Sequence, residues 1–128
     1  MEHMRNFLSN DRFAGHNGIE LLDCSEGSAK AKMEVKDYHL NAVGTVHGGA
    51  IFALADFVFA AASNSHGTTA VAINASIWYV IAAFEGTLFA EAKEVSLQPK
   101  LAIYSIDVTN ENHDTIASFQ GMVYRKKN

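Results

Sequence analysis

The chain has 128 residues, enough for one domain with a single core but not for two. Its 10 Lys and Arg against 14 Asp and Glu give a formal charge of −4, which excludes a general electrostatic attraction to nucleic acid or to an anionic membrane. Cys24 stands alone, which excludes an intramolecular disulfide and predicts an inert core thiol in a reducing, cytoplasmic compartment.

The opening Met1-Glu2-His3-Met4-Arg5-Asn6 leads into a mixed polar stretch without an apolar core, so no secretory signal is expected. A short helix is predicted over about Met4 to Phe13, with Phe7, Leu8 and Phe13 as its apolar contacts. The turn signal Gly15-His16-Asn17-Gly18 follows. From Ala29 the pattern has period two: Ala29, Ala31, Met33 and Val35 share one side, and Lys30, Lys32 and Glu34 the other. That is a strand with one wet face.

Gly48 to about Ser63 reads as a helix, since Ile51, Leu54, Ala55 and Val58 follow the three-and-four spacing. Phe52, Phe57 and Phe59 make its other face apolar too, and such a helix should be enclosed by the rest of the domain. The apolar run Ala50 to Ala62 is too short to span a bilayer and is broken by Asp56. Four extended segments follow: Thr69 to Val80, Gly86 to Leu97, Leu101 to Thr109 and Thr115 to Arg125. Their short separations predict consecutive antiparallel strands. The basic residues Arg125, Lys126 and Lys127 read as a solvated tail. The inventory predicts an α+β fold, a helix held inside a curled antiparallel sheet of five or six strands, whose edges invite a second copy.

Asp56 is the only charged residue between His47 and His66, and an ionised carboxylate in an apolar enclosure needs compensation. It could fix register at an interface, or it could be a catalytic acid or base. At the start of the same helix, Gly48 and Gly49 would offer backbone N–H groups unobstructed by side chains, a place for a developing oxyanion. Eight residues separate Gly48 from Asp56, about 12 Å along a helix. One site could therefore use Gly48 of one subunit and Asp56 of another.

The run from Asn41 through His47-Gly48-Gly49 to Asp56 resembles the motif of phenylacetate-pathway-type (PaaI-like) hotdog thioesterases, and the likeness extends more loosely from Phe7 to Tyr124. The resemblance implies a single hotdog domain over residues 1–128. Its implied reaction is hydrolysis of an aryl- or short/medium-chain acyl-CoA to free acid and coenzyme A, without metal or organic cofactor. Asp56 would be general base or nucleophile, and Gly48 N–H would be donor to the thioester oxygen. Asn41 would position the carbonyl or the attacking group, and His47 would fix the loop or approach the thioester, with Gly49 beside them at the substrate. The site would be shared across a homodimer at minimum, with a tetramer of two dimers expected. One departure stands out: Ala72 occupies the place where the family often carries a water-orienting Ser or Thr. Thr69, Asn74 or Ser76 could substitute, and Asn74 is preferred because an amide both donates and accepts.

The remaining histidines form no HxH or HExxH pattern, so no metal site is expected. Asp37-Tyr38-His39 near Asn41 raises a hotdog hydratase, but that family's short Asp, Asn-Pro and His motif is lacking. A non-catalytic acyl-CoA-binding or sensor protein of the same fold is the other alternative. Phe52, Phe57, Phe59, Trp78 and Tyr79 could line an acyl pocket or be plain core.

Overall fold

The computed structural model describes residues 1–126. Lys127, the end of the basic cluster, lies outside the described residues. Two helices open the chain, α1 (Glu2–Leu8) and α2 (Arg12–His16), in place of the single helix expected. The break comes at Asp11, whose carboxylate caps α2 by accepting from Ala14 N at 2.9 Å. A side chain that hydrogen-bonds the backbone in this way favours a new N-terminus over a continuous helix. The contacts change with it: Met4, Leu8 and Ala14 are buried, whereas Phe7 and Phe13 are exposed. Gly15 and His16 close α2, so the turn is confined to Asn17 and Gly18, where φ is 71°.

β1 (Ile19–Ser25) and β2 (Ser28–Glu34) form a hairpin, and β2 buries Ala29, Ala31 and Met33 as the alternation predicts. The main helix, α3, runs from Gly48 to Ser63, the expected limits. Asn64 ends it: its Nδ2 donates to Ala60 O and its Oδ1 accepts from Ala70 N, both at 2.9 Å, which ties the helix exit to the following strand. β3 (Ala70–Tyr79), β4 (Thr87–Leu97), β5 (Leu101–Thr109) and β6 (Thr115–Arg125) occupy the four expected segments. Among the described residues, no helix is long and apolar enough to cross a membrane.

All strand pairs are antiparallel, in the order β1-β2-β4-β5-β6-β3. The expectation that β3 and β4 pair consecutively is corrected here. β4 lies between β2 and β5, and β3 pairs only with β6, at the sheet edge. The link after Tyr79 is too useful elsewhere to make a hairpin. Ala83 O accepts from Val46 N and Gly86 O from Val35 N, both at 2.8 Å, so this link crosses the sheet end and ties down the approach to α3.

α3 packs against the face of the sheet that carries Ala90, Ala92, Tyr104, Ile106, Phe119 and Val123, all buried. Phe59 reaches Gly121, where an added Cβ would stand 2.5 Å from the ring, and it meets the rings of Phe119 and Tyr104. Only glycine leaves room there. A helix wrapped by a six-stranded antiparallel sheet is the hotdog arrangement.

The enclosure of α3 is incomplete, which corrects the sequence reading. Ile51, Leu54, Ala55, Val58, Ala61 and Ala62 are buried, but Gly49 and Asp56 are exposed, and Phe52, Ala53 and Ala60 are only partly covered. These five lie on one stripe at three- and four-residue spacing. Periodicity marks the stripe as apolar, but this chain does not cover it. β3 is open in the same way: Val71, Ile73, Trp78 and Tyr79 are all exposed, as are Val80 and Ile81 beyond it.

Candidate active site

His47 is the N-cap of α3. Its φ of −59° and ψ of 135° lie outside the helix, and its Nδ1 accepts from Gly49 N at 2.8 Å. The proton must then sit on Nε2. This capping separates the two glycines, which residue pattern alone left equivalent. The Gly49 N–H is taken by His47, so Gly49 is not a free donor to substrate. Among the described residues the Gly48 N–H has no hydrogen-bond partner, and Gly48 is partly solvent-accessible. His47 thus caps the helix start and leaves the Gly48 N–H at the helix end, with the positive end of the dipole behind it.

Tyr79 was not singled out for this place. Its hydroxyl donates to Gly48 O at 3.0 Å, and its ring lies 3.2 Å from where a Gly48 Cβ would be. Close approach of this ring accounts for glycine at 48. Its signal in the sequence is faint, since an aromatic residue ending a strand looks like core.

Asn41 organises the loop that leads to His47. Its Oδ1 accepts from the backbone N–H of Val43 and Thr45, both at 3.1 Å, and its Nδ2 donates to Thr45 Oγ1 at 2.8 Å. Asn41 N also donates to Thr45 O at 2.8 Å. The amide oxygen is therefore engaged within the loop, and one amide hydrogen remains for any further partner. His39, of the hydratase alternative, lies in a 3-10 turn (Asp37–His39) and is buried. Its Nδ1 accepts from Lys36 N at 2.9 Å and its Nε2 donates to Asn17 O at 3.0 Å, so both ring nitrogens serve the fold.

Asp56 lies on the open stripe of α3. Its carboxyl pKa is raised, first by desolvation among its apolar neighbours and then by the negative charge of Asp11. Asp11 gave no sign of this in the sequence, because it is 45 positions away and acts through α2. Asp56 is exposed as a residue, with partly covered Phe52, Ala53 and Ala60 flanking it on the stripe, yet its carboxyl is desolvated enough to raise its pKa.

Asn74 is not placed with these groups. Residues paired across an antiparallel ladder share a face. Tyr79, Ile77, Ala75 and Ala72 pair with Ala117, Phe119, Gly121 and Val123, the α3 side, whereas Asn74, Ser76 and Trp78 pair with Met122, Gln120 and Ser118 on the outer face. A bulge at Ile73 sets this register. Asn74, chosen among Thr69, Asn74 and Ser76 to stand in for the water-orienting residue at the Ala72 place, therefore lies on the face turned away from α3, while Ala72 itself is on the α3 side. Of the five aromatic candidates for a pocket wall, Phe57 and Phe59 are core, Trp78 is on the outer face, and Phe52 and Tyr79 remain on the open side.

A cleft of about 280 Å³ adjoins the start of α3, bounded by Phe13, Tyr38, Leu40, His47 and Gly49. A larger hollow of about 350 Å³ lies on the outer face among Lys30, Glu91 and Asp107 and shares none of these residues. At the opposite end of α3, Glu94 Oε2 meets His66 Nε2 at 2.5 Å and accepts from Tyr104 OH at 3.0 Å. Burial pulls the Glu94 pKa up, but the hydrogen bonds from His66 and Tyr104 and the charges of His66 and Arg125 outweigh it, and the carboxyl sits below its ordinary value. Arg125 also donates from Nη1 to Gln98 O at 3.0 Å, so it belongs to the sheet rather than to a solvated tail. Burial raises the Cys24 thiol pKa, as expected for an inert core residue.

The helix wrapped by a six-stranded antiparallel sheet places the chain in the hotdog class. Residues 43–117 match the Thioesterase superfamily. A provisionally named esterase of Archaeoglobus fulgidus is 47% identical over 127 residues, covering 98% of this chain and 82% of that protein. The acyl-coenzyme A thioesterase PaaI of Escherichia coli is 36% identical over 117 residues, covering 91% and 84%. The structure of E. coli PaaI superposes with a TM-score of 0.93 at 35% identity, over 96% of this chain and 90% of that one. A Streptococcus mutans protein solved bound to acetyl-CoA superposes at 0.82 with 27% identity, over 86% and 90%. The chain belongs to the Thioesterase superfamily and is a PaaI-like hotdog protein.

Proposed function

We propose that this protein is an acyl-CoA thioesterase, in one cytoplasmic hotdog domain, that hydrolyses an aryl- or short/medium-chain acyl-CoA to free acid and coenzyme A. The observation that carries the reading is the division of labour at the helix start: Gly49 N–H is capped by His47 and Gly48 N–H is left to donate. A thioester oxygen seated at Gly48 N–H would gain stabilisation as its negative charge develops. Relatives named as acyl-CoA thioesterases, and one solved with acetyl-CoA, support the substrate class.

Asp56 supplies the base. Its carboxylate takes a proton from water, the hydroxide adds to the thioester carbon, and collapse of the adduct breaks the C–S bond, with the proton returned to the CoA thiolate. Asp56 as nucleophile would instead form a mixed anhydride that water opens. Label found in the Asp56 carboxylate after a single turnover in ¹⁸O water would assign the anhydride route with water attacking the Asp56 carbonyl, and trapping of the acyl-enzyme with hydroxylamine tests the case in which water attacks the acyl carbonyl. Asn41 supports the loop and has one amide hydrogen to offer the substrate.

On one helix, Gly48 and Asp56 are about 12 Å apart, too far to act on one thioester. A partner subunit joined along the open β3 edge and the α3 stripe would bring its Asp56 to this chain's Gly48. That makes the working unit a dimer, with a tetramer as two such dimers.

The test is a pair of substitutions assayed on a panel of acyl-CoA esters. Asp56→Asn should lower kcat about 100-fold or more. Gly48→Pro should lower it about 100- to 1,000-fold by deleting the N–H, because proline is accepted at the first helical position; its Cβ meets the Tyr79 ring at 3.2 Å, so the ring must give by a few tenths of an ångström, and Gly48→Ala, which adds the Cβ but keeps the N–H, is the control for that shift. The extended His47 backbone already suits a following proline. Wild-type turnover in either variant refutes its role, and binding of acyl-CoA without turnover by the unaltered protein would make it a sensor instead.

A further inference from the structure

We infer that Tyr79 is a positioning residue for the oxyanion donor, holding the peptide next to it from the edge strand; this rests on the Gly48 reading above. The C=O of Gly48 and the N–H of Gly49 belong to one peptide unit. Tyr79 OH donates to its oxygen at 3.0 Å, and its N–H donates to His47 Nδ1 at 2.8 Å. That unit is clamped at both ends by side chains from different elements, β3 and the N-cap. The peptide before it, between His47 and Gly48, is fixed by the helix, since His47 O accepts from Ala50 N at 2.9 Å and Ile51 N at 3.2 Å.

Two glycines in succession at a helix start have more backbone freedom than any other pair. A donor that drifts between orientations stabilises a developing charge less than one already aimed. The clamp limits rotation about Gly48 on its C-terminal side, and the ring, 3.2 Å from the would-be Gly48 Cβ, limits displacement of its Cα. Tyr79 is half exposed, so its hydroxyl could hydrogen-bond water at no loss if this contact had no use. Because β3 is also the open edge of the sheet, the clamp links the donor's geometry to the strand at which a second copy would join.

The experiment is a double-substitution cycle between Tyr79→Phe and Gly48→Pro. The phenylalanine keeps the ring and removes only the hydroxyl. Expected in the otherwise wild-type protein is a fall in kcat of roughly tenfold with KM changed less than about twofold, the loss typical of a misaimed group. In the Gly48→Pro background the same change should have no further effect on kcat, because the donor it aims is gone. Tyr79→Leu, which removes the ring as well, should fall at least as far in the first background and again have no effect in the second, with circular dichroism verifying each fold. An unchanged kcat for Tyr79→Phe overturns the inference, and so does an equal fall in both backgrounds, which would mean that Tyr79 acts independently of Gly48. Wild-type turnover by Gly48→Pro alone removes the oxyanion reading itself, an outcome distinct from the other two.

Discussion

Asp56 is held in a setting that makes it a better base than an ordinary aspartate. Desolvation raises its pKa, and Asp11 adds to the effect. If Asp56 is the base, as proposed, its ionised form is the reactive one, so kcat/KM should fall as pH drops through this raised pKa, and the acid limb should lie above the usual aspartate value of about 3.9. Replacing Asp11 with Asn should move that limb toward lower pH while leaving the high-pH plateau in place. A pH–rate profile of the two proteins checks this; coincident limbs would show that Asp11 does not act on the base. The division between Gly48 and Gly49 belongs to the same scale. Residue pattern alone left the two glycines equivalent and only the family resemblance named Gly48, because the division depends on the His47 side chain turning its Nδ1 onto one N–H and not the other.

At the scale of elements, the two ends of α3 have opposite tasks. Its start leaves a donor free, while its exit is tied down by Asn64 and by the cluster of His66, Glu94 and Tyr104. Glu94 has a lowered pKa, so its ionisation stabilises the fold fully above the unfolded value of about 4.3, and this contribution is lost as pH falls through the folded value. Glu94→Gln should therefore be destabilised by about 1–3 kcal/mol at neutral pH, and its deficit should shrink below about pH 4. Urea unfolding at several pH values reads the difference, and a deficit constant with pH would assign the loss to packing alone. The limits of α3 and of the last four strands were legible because local pattern and turn residues decide them. The place of β3 was not, since sheet order depends on which edges meet after the chain has crossed from Tyr79 to Thr87. Asp11 shows the same limit on a smaller scale: one capping carboxylate divided a helix that hydrophobic spacing had joined.

The molecule as a whole leaves two apolar features uncovered, the stripe of α3 around Asp56 and the edge strand β3. The sequence marked both as apolar but could not say whether this chain or another covers them, because periodicity records burial without naming the partner. Of the candidate site, Asn41, His47, Gly48 and Asp56 all lie on the loop and helix expected, whereas Asn74 lies on the face away from α3 because the bulge at Ile73 cannot be read from composition. A site divided between two subunits accounts for the open stripe, the open edge and the separation of Gly48 from Asp56 together. Subunit complementation tests it most directly. Gly48→Pro and Asp56→Asn proteins, each nearly inactive, are mixed in equal amounts, dissociated and reassociated. If each site takes Gly48 from one subunit and Asp56 from its partner, half of the dimers are hybrids with one intact site, and activity should return to about a quarter of wild type. No recovery from a mixture shown to contain hybrid dimers would contradict the shared site.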